Sequence, residues 1–439
     1  MTRIPAGATP FRDPGAESGA DPAPRATHPG SDPTRDLAEP APRLELDSPA
    51  VRDNPYELYA RWRSTEPVRR GALGEWYLTR YDDVLAVLAD PAGFSNNLAG
   101  TWLYEEQMSR LRVDGTEPVI ADVSMLRADP PDHTRLRRLA SKAFTPRAVA
   151  RLRSRVEQIV DDLLAPVEAG AFELISQFAF PLPVTVIAEL LGAPVADRAL
   201  LRRWSRGLVD NPGLVIEDEE VLLRSRQALR EFDAYVRDLI ADRRRQPRDD
   251  LVSALVAAED GGDQLDEDEL ISTCILLLIA GHETTVNLIG NGILALLRHP
   301  EQLRRLRDDP SLTESAVEEM LRYDSPVQGL ARKAIRDVEL RGVRVRRNDV
   351  VFPMVAAANR DPDAFPDPDV FDIARPDNRH LSFGKGIHFC LGAPLARLEA
   401  QVAIPALLRR FPWMELFTEH PQWRPNWFLR GLGELPLTV

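Results

Sequence analysis

The chain has 439 residues, 44% of them hydrophobic, so it is long enough to bury at least one large core. Its net charge of −13 argues against nucleic acid as a partner, and its two distant cysteines, Cys274 and Cys390, exclude a disulfide framework. No apolar run approaches the ~20 residues of a transmembrane helix, and no N-terminal signal pattern is present, so we expect a cytoplasmic protein that does not bind membranes.

The first segment of the chain, residues 1–43, is rich in proline, glycine and alanine and has no periodic pattern. Such a segment cannot offset its ordering entropy by burial, so the sequence predicts a disordered tail. No repeat and no second linker follow. Residues 44–439 are therefore predicted to form a single domain.

The first half of this domain has mainly helical patterning. Apolar spacing predicts helices over 55–65 and 80–90, with a short strand at 74–81 between them. A helical pattern then runs from 133 to about 163, and a long amphipathic helix is predicted over 223–246.

The second half adds a few short strands. Residues 335–355 alternate around Arg341 and Gly342, which predicts a hairpin. The last residues, 429–439, are predicted to form a further short strand pair. The predicted fold class is therefore mainly α with a minor β region (α+β).

A long helix predicted over about 265–298 is the most informative element. It would be roughly 50 Å long, and its middle is apolar on every side, which predicts burial. Yet "GHETT", residues 281–285, places a glycine and a glutamate inside it, and both are costly there. Because locally costly residues cluster at functional sites, this polar island indicates one.

Cys390 lies in "LSFGKGIHFCLGAPLARLE", residues 381–399. A lone cysteine is usually a small buried hydrophobe. A nucleophile paired with His388 is disfavoured because residues two apart do not reliably face each other, and zinc would need paired Cys/His spacing. A thiolate ligand to haem iron fits better, because a helix that starts at the cysteine supports negative charge there.

Several motifs resemble the cytochrome P450 haem-thiolate monooxygenases over about residues 50–439, most closely the soluble bacterial and actinobacterial members. "AGHETT", 280–285, resembles the family's oxygen-activation stretch, and "EMLR", 319–322, resembles its ExxR pair. "DPPDHTRLRR", 129–138, resembles the helix that contacts the haem propionates. The residues matching the haem-binding signature are Phe383, Gly384, Gly386, His388, Cys390 and Gly392.

This resemblance implies the P450 fold, with haem b between the long central helix and the loop that carries the iron ligand, Cys390. It implies that Thr284 hydrogen-bonds bound oxygen and that Glu283 relays protons. It also implies a buried structural network of Glu319, Arg322 and Arg375. The residues implied to contact haem are His133, Arg137, Arg332, His380, His388, Phe383, Gly384, Gly392, Ala280, Gly281 and Cys390.

The implied activity is hydroxylation or epoxidation of a small hydrophobic substrate, with a macrolide, polyketide or other specialised metabolite as the leading expectation. In the family, segments corresponding to 96–123 and 206–217 contact the substrate. The candidate pocket residues are Trp102, Leu103, Leu277, Ala280, Val327 and Leu330.

The implied co-substrate is dioxygen. Because the chain has no flavin domain and no ferredoxin-like cysteine run, electrons from NAD(P)H are expected through a separate ferredoxin and its reductase. We expect a monomer. The cations near the expected sulfur side of the haem could form a local patch for an acidic ferredoxin; they are Arg135, Arg138, Lys142 and Lys385.

Three alternatives remain open from the sequence. A haem-thiolate peroxygenase would use hydrogen peroxide directly, and Glu283 and Thr284 argue against it. A haem-based ligand sensor would need an output module, which the sequence does not show. A helical interaction protein would contain no haem.

Overall fold

A computed structural model describes residues 45–111, 124–143, 146–209, 218–260 and 263–439. The predicted tail, 1–43, lies outside the described residues. So do 112–123 and 210–217, which belong to the two segments expected to contact the substrate.

Helices account for most of the described structure. Those before the central helix are α1 Pro49–Asp53, α2 Pro55–Thr65, α3 Tyr81–Ala89, α4 Trp102–Leu111, α5 Asp132–Ala143, α6 Pro146–Arg151, α7 Arg153–Leu164, α8 Pro181–Leu191, α9 Arg198–Val209, α10 Glu219–Arg245 and α11 Leu251–Val256. The central helix and those after it are α12 Glu267–Arg298, α13 Pro300–Asp308, α14 Thr313–Tyr323, α15 Val355–Ala358 and α16 Ala393–Arg410. Short 3-10 turns and one π-helical turn, Ile175–Ala179, connect some of them.

The strands are short. They are β1 Val68–Arg70, β2 Trp76–Leu78, β3 Phe94–Ser95, β4 Ala171–Glu173, β5 Glu259–Asp260, β6 Asp263–Gln264, β7 Arg332–Ala334, β8 Val338–Leu340, β9 Val343–Val345, β10 Val350–Pro353, β11 Glu415–Leu416 and β12 Pro436–Thr438. The largest sheet has the order β1-β2-β10-β7-β3, in which only β10 and β2 run parallel. The others are β11-β12-β4 and the two-stranded ribbons β5-β6 and β8-β9.

Most of the predicted elements are confirmed. The helices over 55–65, 80–90 and 223–246 correspond to α2, α3 and α10. The hairpin corresponds to β8 and β9, which turn through Arg341 and Gly342 at positive φ of 49° and 78°. The pattern from 133 to 163 covers three helices, α5, α6 and α7, rather than one.

The predicted strand pair at the C-terminus is wrong. β12 pairs with β11 and with β4, which lies more than 260 residues earlier in the chain. The residues before it make only isolated bridges, Leu429 with Val327 and Leu432 with Trp423. Local alternation identifies a strand but not its partner, because pairing is decided by which elements tertiary packing brings alongside.

The central helix α12 is placed by its cap and its apolar surface. Asp266 accepts a hydrogen bond from the backbone N–H of Glu269, whose side chain accepts one from the N–H of Asp266, a reciprocal capping box. The helix packs against α8, α10, α14 and α16 within the largest hydrophobic cluster. It is long and apolar enough to cross a membrane, but 67% of its most apolar window is buried inside the fold, as in a core helix.

Candidate active site

The loop before α16 holds Cys390 at the N-terminal end of that helix. The Cys390 N–H donates to the Phe383 carbonyl at 2.9 Å, which closes the loop on itself. Gly384 and Gly386 have positive φ of 70° and 72°, which side chains rarely adopt. At Gly386 a Cβ would also lie 2.7 Å from the Leu88 carbonyl oxygen, so glycine is required there.

The surroundings of the Cys390 sulfur oppose the effect of its burial. Burial raises the pKa of the thiol, but hydrogen bonds from the backbone N–H groups of Gly392 and Ala393 and the charge of Arg137 act to lower it. The other cysteine, Cys274, lies inside α12, where burial raises its pKa to about 12. Only Cys390 therefore has donors that support a thiolate ligand.

Four of the predicted haem contacts lie together as a group of cations and imidazoles. The rings of His133 and His388 are 4.1 Å apart, and Arg137 donates to the Phe389 carbonyl beside Cys390 at 2.6 Å. Burial, followed by the influence of His133, Arg332 and Arg137, lowers the pKa of His388 to about 3.

Within the described ranges no carboxylate forms an ion pair with this group, and Asp129 acts on it only from a greater distance. Burial lowers the pKa of Arg332 to about 10, opposed by Asp129. His133 is 2% exposed, and neither of its ring nitrogens has a hydrogen-bond partner among the described residues. Buried donors and crowded cations of this kind suit a ligand that carries carboxylates.

His380 does not join this group. Its Nε2 lies 3.0 Å from Glu318, and its Nδ1 accepts the Ser382 N–H at 3.2 Å, so both ring nitrogens are engaged inside the protein. Arg397 donates to the same glutamate at 2.6 Å. Burial opposes ionisation of Glu318, but these hydrogen bonds lower its pKa to about 2. The geometry therefore places His380 in a contact that joins the loop to α14 through Glu318.

One narrow stripe of α12 is open, although most of the helix is buried. Leu277 and Thr284 are partly exposed and Ala280 is exposed, and their spacing of three and four residues places them on one face. An exposed alanine in a core helix indicates a hollow beside it. Gly281 lies next to this stripe, where a Cβ would approach the Ile187 side chain to 3.2 Å, so the glycine permits close packing of α8.

Glu283 is buried and held by groups from distant parts of the chain. Ser205 of α9 donates to Oε1 at 2.8 Å, and Arg424 donates to Oε2 at 2.6 Å. His282 Nε2 lies 3.4 Å from Oε1. Burial would raise the pKa of this carboxyl, but His282 and Arg424 hold it well below its usual range. The side chain is therefore a carboxylate at neutral pH.

The Thr284 hydroxyl donates to the Ala280 carbonyl one turn earlier, at 3.2 Å. This bond keeps the hydroxyl on the open stripe of α12. The carbonyl that accepts it belongs to the same helix, where it is also available to the backbone hydrogen bonds. Thr284 and Glu283 therefore do not bond to each other in this structure. The carboxylate faces α9 and the C-terminal segment, while the hydroxyl faces the hollow.

The predicted ExxR network is assembled as a buried cluster. Glu319 and Arg322 are both 0% exposed and form two hydrogen bonds of 2.7 and 2.8 Å. Arg375 donates to both oxygens of Glu319 at 3.2 Å, and Asn378 and the backbone N–H of Asp372 add two more donors. Arg322 also donates to backbone carbonyls at 359, 368 and 370, so the cluster joins α14 to the segment that precedes the cysteine loop.

The other predicted pocket residues differ in position. Leu330 lies beside the cysteine loop, because a Cβ on Gly384 would be 3.7 Å from its Cδ1. Val327 is partly exposed and bridges to Leu429. Leu103 is 2% exposed inside the second hydrophobic cluster, against which Trp102 also packs, so the structure places Leu103 in the core.

The predicted basic patch is partly neutralised. Arg135 forms ion pairs with Glu269 and Asp263, and Arg138 lies 3.9 Å from Asp263. Lys385 is exposed, and the side chain of Lys142 lies outside the described residues.

Together these features fit an iron protoporphyrin. The supported sulfur of Cys390 would ligate the iron, the group at His133, Arg137, Arg332 and His388 would hold the propionates, and the open stripe of α12 would lie beside the ring.

Comparisons with known proteins agree with this fit. The family model described as "Cytochrome P450" matches residues 218–430. The chain is 45% identical to "Polyketide biosynthesis cytochrome P450 PksS" of Bacillus subtilis over 397 residues, which cover 88% of this chain and 96% of that protein. The chain belongs to the cytochrome P450 family. As a cytochrome P450 it is a haem-thiolate monooxygenase that uses haem b, dioxygen and electrons delivered by a reductase.

Two further matches extend this result. The 6-deoxyerythronolide B hydroxylase of Saccharopolyspora erythraea is 42% identical over 407 residues, covering 91% of this chain and 98% of that protein. The solved structure of PksS from the bacillaene polyketide synthase of Bacillus subtilis superimposes with a TM-score of 0.81 at 42% identity, covering 90% of this chain and 100% of that chain. The P450 fold predicted from the motifs is thereby confirmed.

Sequence reasoning missed the partners of the acidic residues in this P450. Ser205 and Arg424, which hold Glu283, lie 78 and 141 residues away from it, and no motif marks either one. Asn378, the amide donor to Glu319, lies shortly before the cysteine loop, but nothing in its neighbourhood indicates its contact.

Proposed function

We propose that this cytochrome P450 hydroxylates or epoxidises a polyketide, macrolide or related specialised metabolite. The observation that carries the chemistry is the open stripe of Leu277, Ala280 and Thr284 on an otherwise buried helix. The substrate class is supported by two relatives, whose names specify polyketide biosynthesis and hydroxylation of 6-deoxyerythronolide B.

When bound, the haem supplies reductive activation of dioxygen, and its thiolate ligand favours O–O cleavage. The chain supports that ligand through the N–H groups of Gly392 and Ala393 and the charge of Arg137. Leu277 and Ala280 give the hollow an apolar wall, which favours a hydrophobic substrate and limits water.

We assign proton handling to Thr284 and Glu283. The Thr284 hydroxyl is on the open stripe, where it can donate to oxygen held beside the helix. Glu283 is an anion that can accept a proton from the solvent side and pass it on, but Arg424 and Ser205 occupy both of its oxygens. Proton relay therefore requires the Glu283 carboxylate to break at least one of these hydrogen bonds. We infer that Arg424 and Ser205 position the carboxylate between relay steps.

We also propose that a separate ferredoxin and its reductase deliver the electrons and that the enzyme acts as a monomer in the cytoplasm. Lys385 is exposed on the cysteine loop and can contact an acidic partner. The ion pairs at Arg135 and Arg138 make those two residues weaker contributors than the sequence predicts.

The test is an optical titration of the purified holoprotein with macrolides, other polyketides, terpenoids, steroids and fatty acids. A saturable shift of the Soret band to shorter wavelength with macrolides or other polyketides, followed by an oxygenated product with ferredoxin, reductase and NAD(P)H, is expected. A shift and a product with another class alone would overturn the substrate proposal. Product formation with hydrogen peroxide but not with the ferredoxin system would overturn the proposed electron route.

A further inference from the structure

A groove of about 660 Å³ lies between α9 and α10. Its lining residues recur at three- and four-residue spacing on both helices, so the groove follows the helix pair. At Gly207 the two helices come so close that a Cβ would lie 2.8 Å from the Cβ of Ala228. Its volume is within the range of pockets that bind small molecules.

The groove is strongly cationic. Among the described residues that line it, four are arginines and Glu231 is the only acidic one. Hydrogen bonds from Trp204, Gln227 and Arg203 lower the pKa of Glu231 to about 2. Glu231 and Arg203 therefore neutralise each other as a fixed pair.

The other three arginines, Arg202, Arg206 and Arg224, have no such pair. Within the described ranges no carboxylate oxygen lies within 4 Å of their guanidinium groups, whereas the neighbouring Arg203 and many other arginines of this acidic chain are paired. The one hydrogen bond found for Arg224 is a 3.4 Å contact from Nε to the Glu220 carbonyl.

Arg202 is the most constrained of the three. Its guanidinium lies over the ring of Phe180, 4.5 Å from the centroid, and its buried Nε has no partner among the described residues. Burial lowers the pKa of Arg202 and the charge of Arg206 lowers it further, whereas the carboxylates of Glu173 and Glu283 act in the opposite direction. Guanidinium groups that lie close together around a groove without an ion-pair partner are locally unfavourable, and this indicates a function for the groove.

We propose that this arginine groove binds a small polyanion that carries phosphate groups. Guanidinium groups donate paired hydrogen bonds in a geometry that matches phosphate oxygens. Arg202, Arg206 and Arg224 together carry three positive charges, more than a ligand with a single carboxylate would balance. A diphosphate carries enough negative charge to match them. The proposal does not depend on haem, because none of the groove residues is a proposed haem contact, although Arg206 and Gly207 begin the segment that is expected to contact the substrate.

The test is calorimetric titration of the holoprotein with inorganic pyrophosphate at constant ionic strength, with sodium chloride as the reference salt. Saturable one-to-one binding and a higher unfolding temperature are expected for the wild-type protein. Arg206→Gln and Arg224→Gln should each weaken binding about tenfold, since each removes a charged hydrogen-bond donor. Arg409→Gln, at the exposed end of α16, is the matched control and should bind like the wild type.

A second measurement separates an anion site from a structural role for these arginines. Without pyrophosphate, Arg206→Gln should unfold at the wild-type temperature or above it, because the change removes like-charge repulsion with Arg202. Equal pyrophosphate affinities in all four proteins, or no binding at millimolar concentration, would refute the proposal. So would a lower unfolding temperature for Arg206→Gln without the ligand.

Discussion

At the scale of single residues, Glu283 combines two opposing effects. Burial disfavours its charged form, while Arg424 and His282 favour it, and the second effect is larger. The carboxylate is therefore held in place by its partners, and it must leave at least one of them before it can relay a proton. Thr284, the next residue, faces the other way and has only its own helix as a partner.

Thr284→Ala should separate electron consumption from product formation. The change removes the one hydroxyl on the open stripe, so we expect about a tenfold or larger fall in product per NAD(P)H, with hydrogen peroxide formed instead. Thr285→Ala is the matched control, because that hydroxyl is on the buried face of the same turn. A normal product ratio for Thr284→Ala would remove Thr284 from the mechanism.

Arg424→Gln should destabilise the fold by about 2–3 kcal/mol at pH 7, because it leaves a buried carboxylate without its cation. The folded pKa of Glu283 is depressed, so the pair stabilises the protein above the unfolded value of about 4.3, and that contribution is lost on acidification. The difference between the two proteins should therefore shrink as the pH falls from 7 toward 3. Urea unfolding of both proteins at several pH values measures this difference in stability. A difference that does not change with pH would contradict the assignment of the effect to the Glu283–Arg424 ion pair.

At the scale of elements, α14 and the cysteine loop depend on a cluster of ions. Glu319 receives hydrogen bonds from Arg322, Arg375, Asn378 and the Asp372 N–H. The two guanidinium groups also satisfy backbone carbonyls between 359 and 370. The cluster thus orders an irregular segment that has few hydrogen bonds of its own, and this segment leads into the loop that carries Cys390.

Glu319→Ala should cost about 3–5 kcal/mol, because it leaves two buried arginines without their carboxylate. We expect little holoprotein, measured as haem absorbance per protein, and a lower unfolding midpoint. Glu318→Ala is the matched change one residue away, where the ion pairs are partly exposed and the expected cost is about 1 kcal/mol. Recovery of a normal holoprotein from Glu319→Ala would show that the cluster is dispensable.

At the scale of the whole molecule, the described residues from 45 to 439 belong to one compact unit. Core clusters, sheets and the active site all lie within this unit. The protein has a net charge of −13, yet one groove on its surface is lined by arginines. The choice of binding partner therefore depends on the local distribution of charge as well as on the net charge.

A chain that starts at Pro42 should bind haem and unfold at the same midpoint as the full-length protein, because the hydrogen bonds and core contacts of the described residues lie within that unit. Haem content and thermal unfolding of the two chains measure this. A lower midpoint or reduced haem content in the shorter chain would show that the first 41 residues contribute to the fold.

The amino-acid sequence by itself determined the family, and it supplied the proposals for the iron ligand, the Glu283–Thr284 pair and the ExxR residues, because these lie in short motifs whose chemistry requires particular residue types. It also determined the main helices, whose apolar period is local. Tertiary structure decided the pairing of β12, the position of His380 against Glu318, and the contacts of Arg424 and Ser205 with Glu283. Each of these joins residues far apart in the chain, and long-range pairing depends on packing that no local pattern encodes.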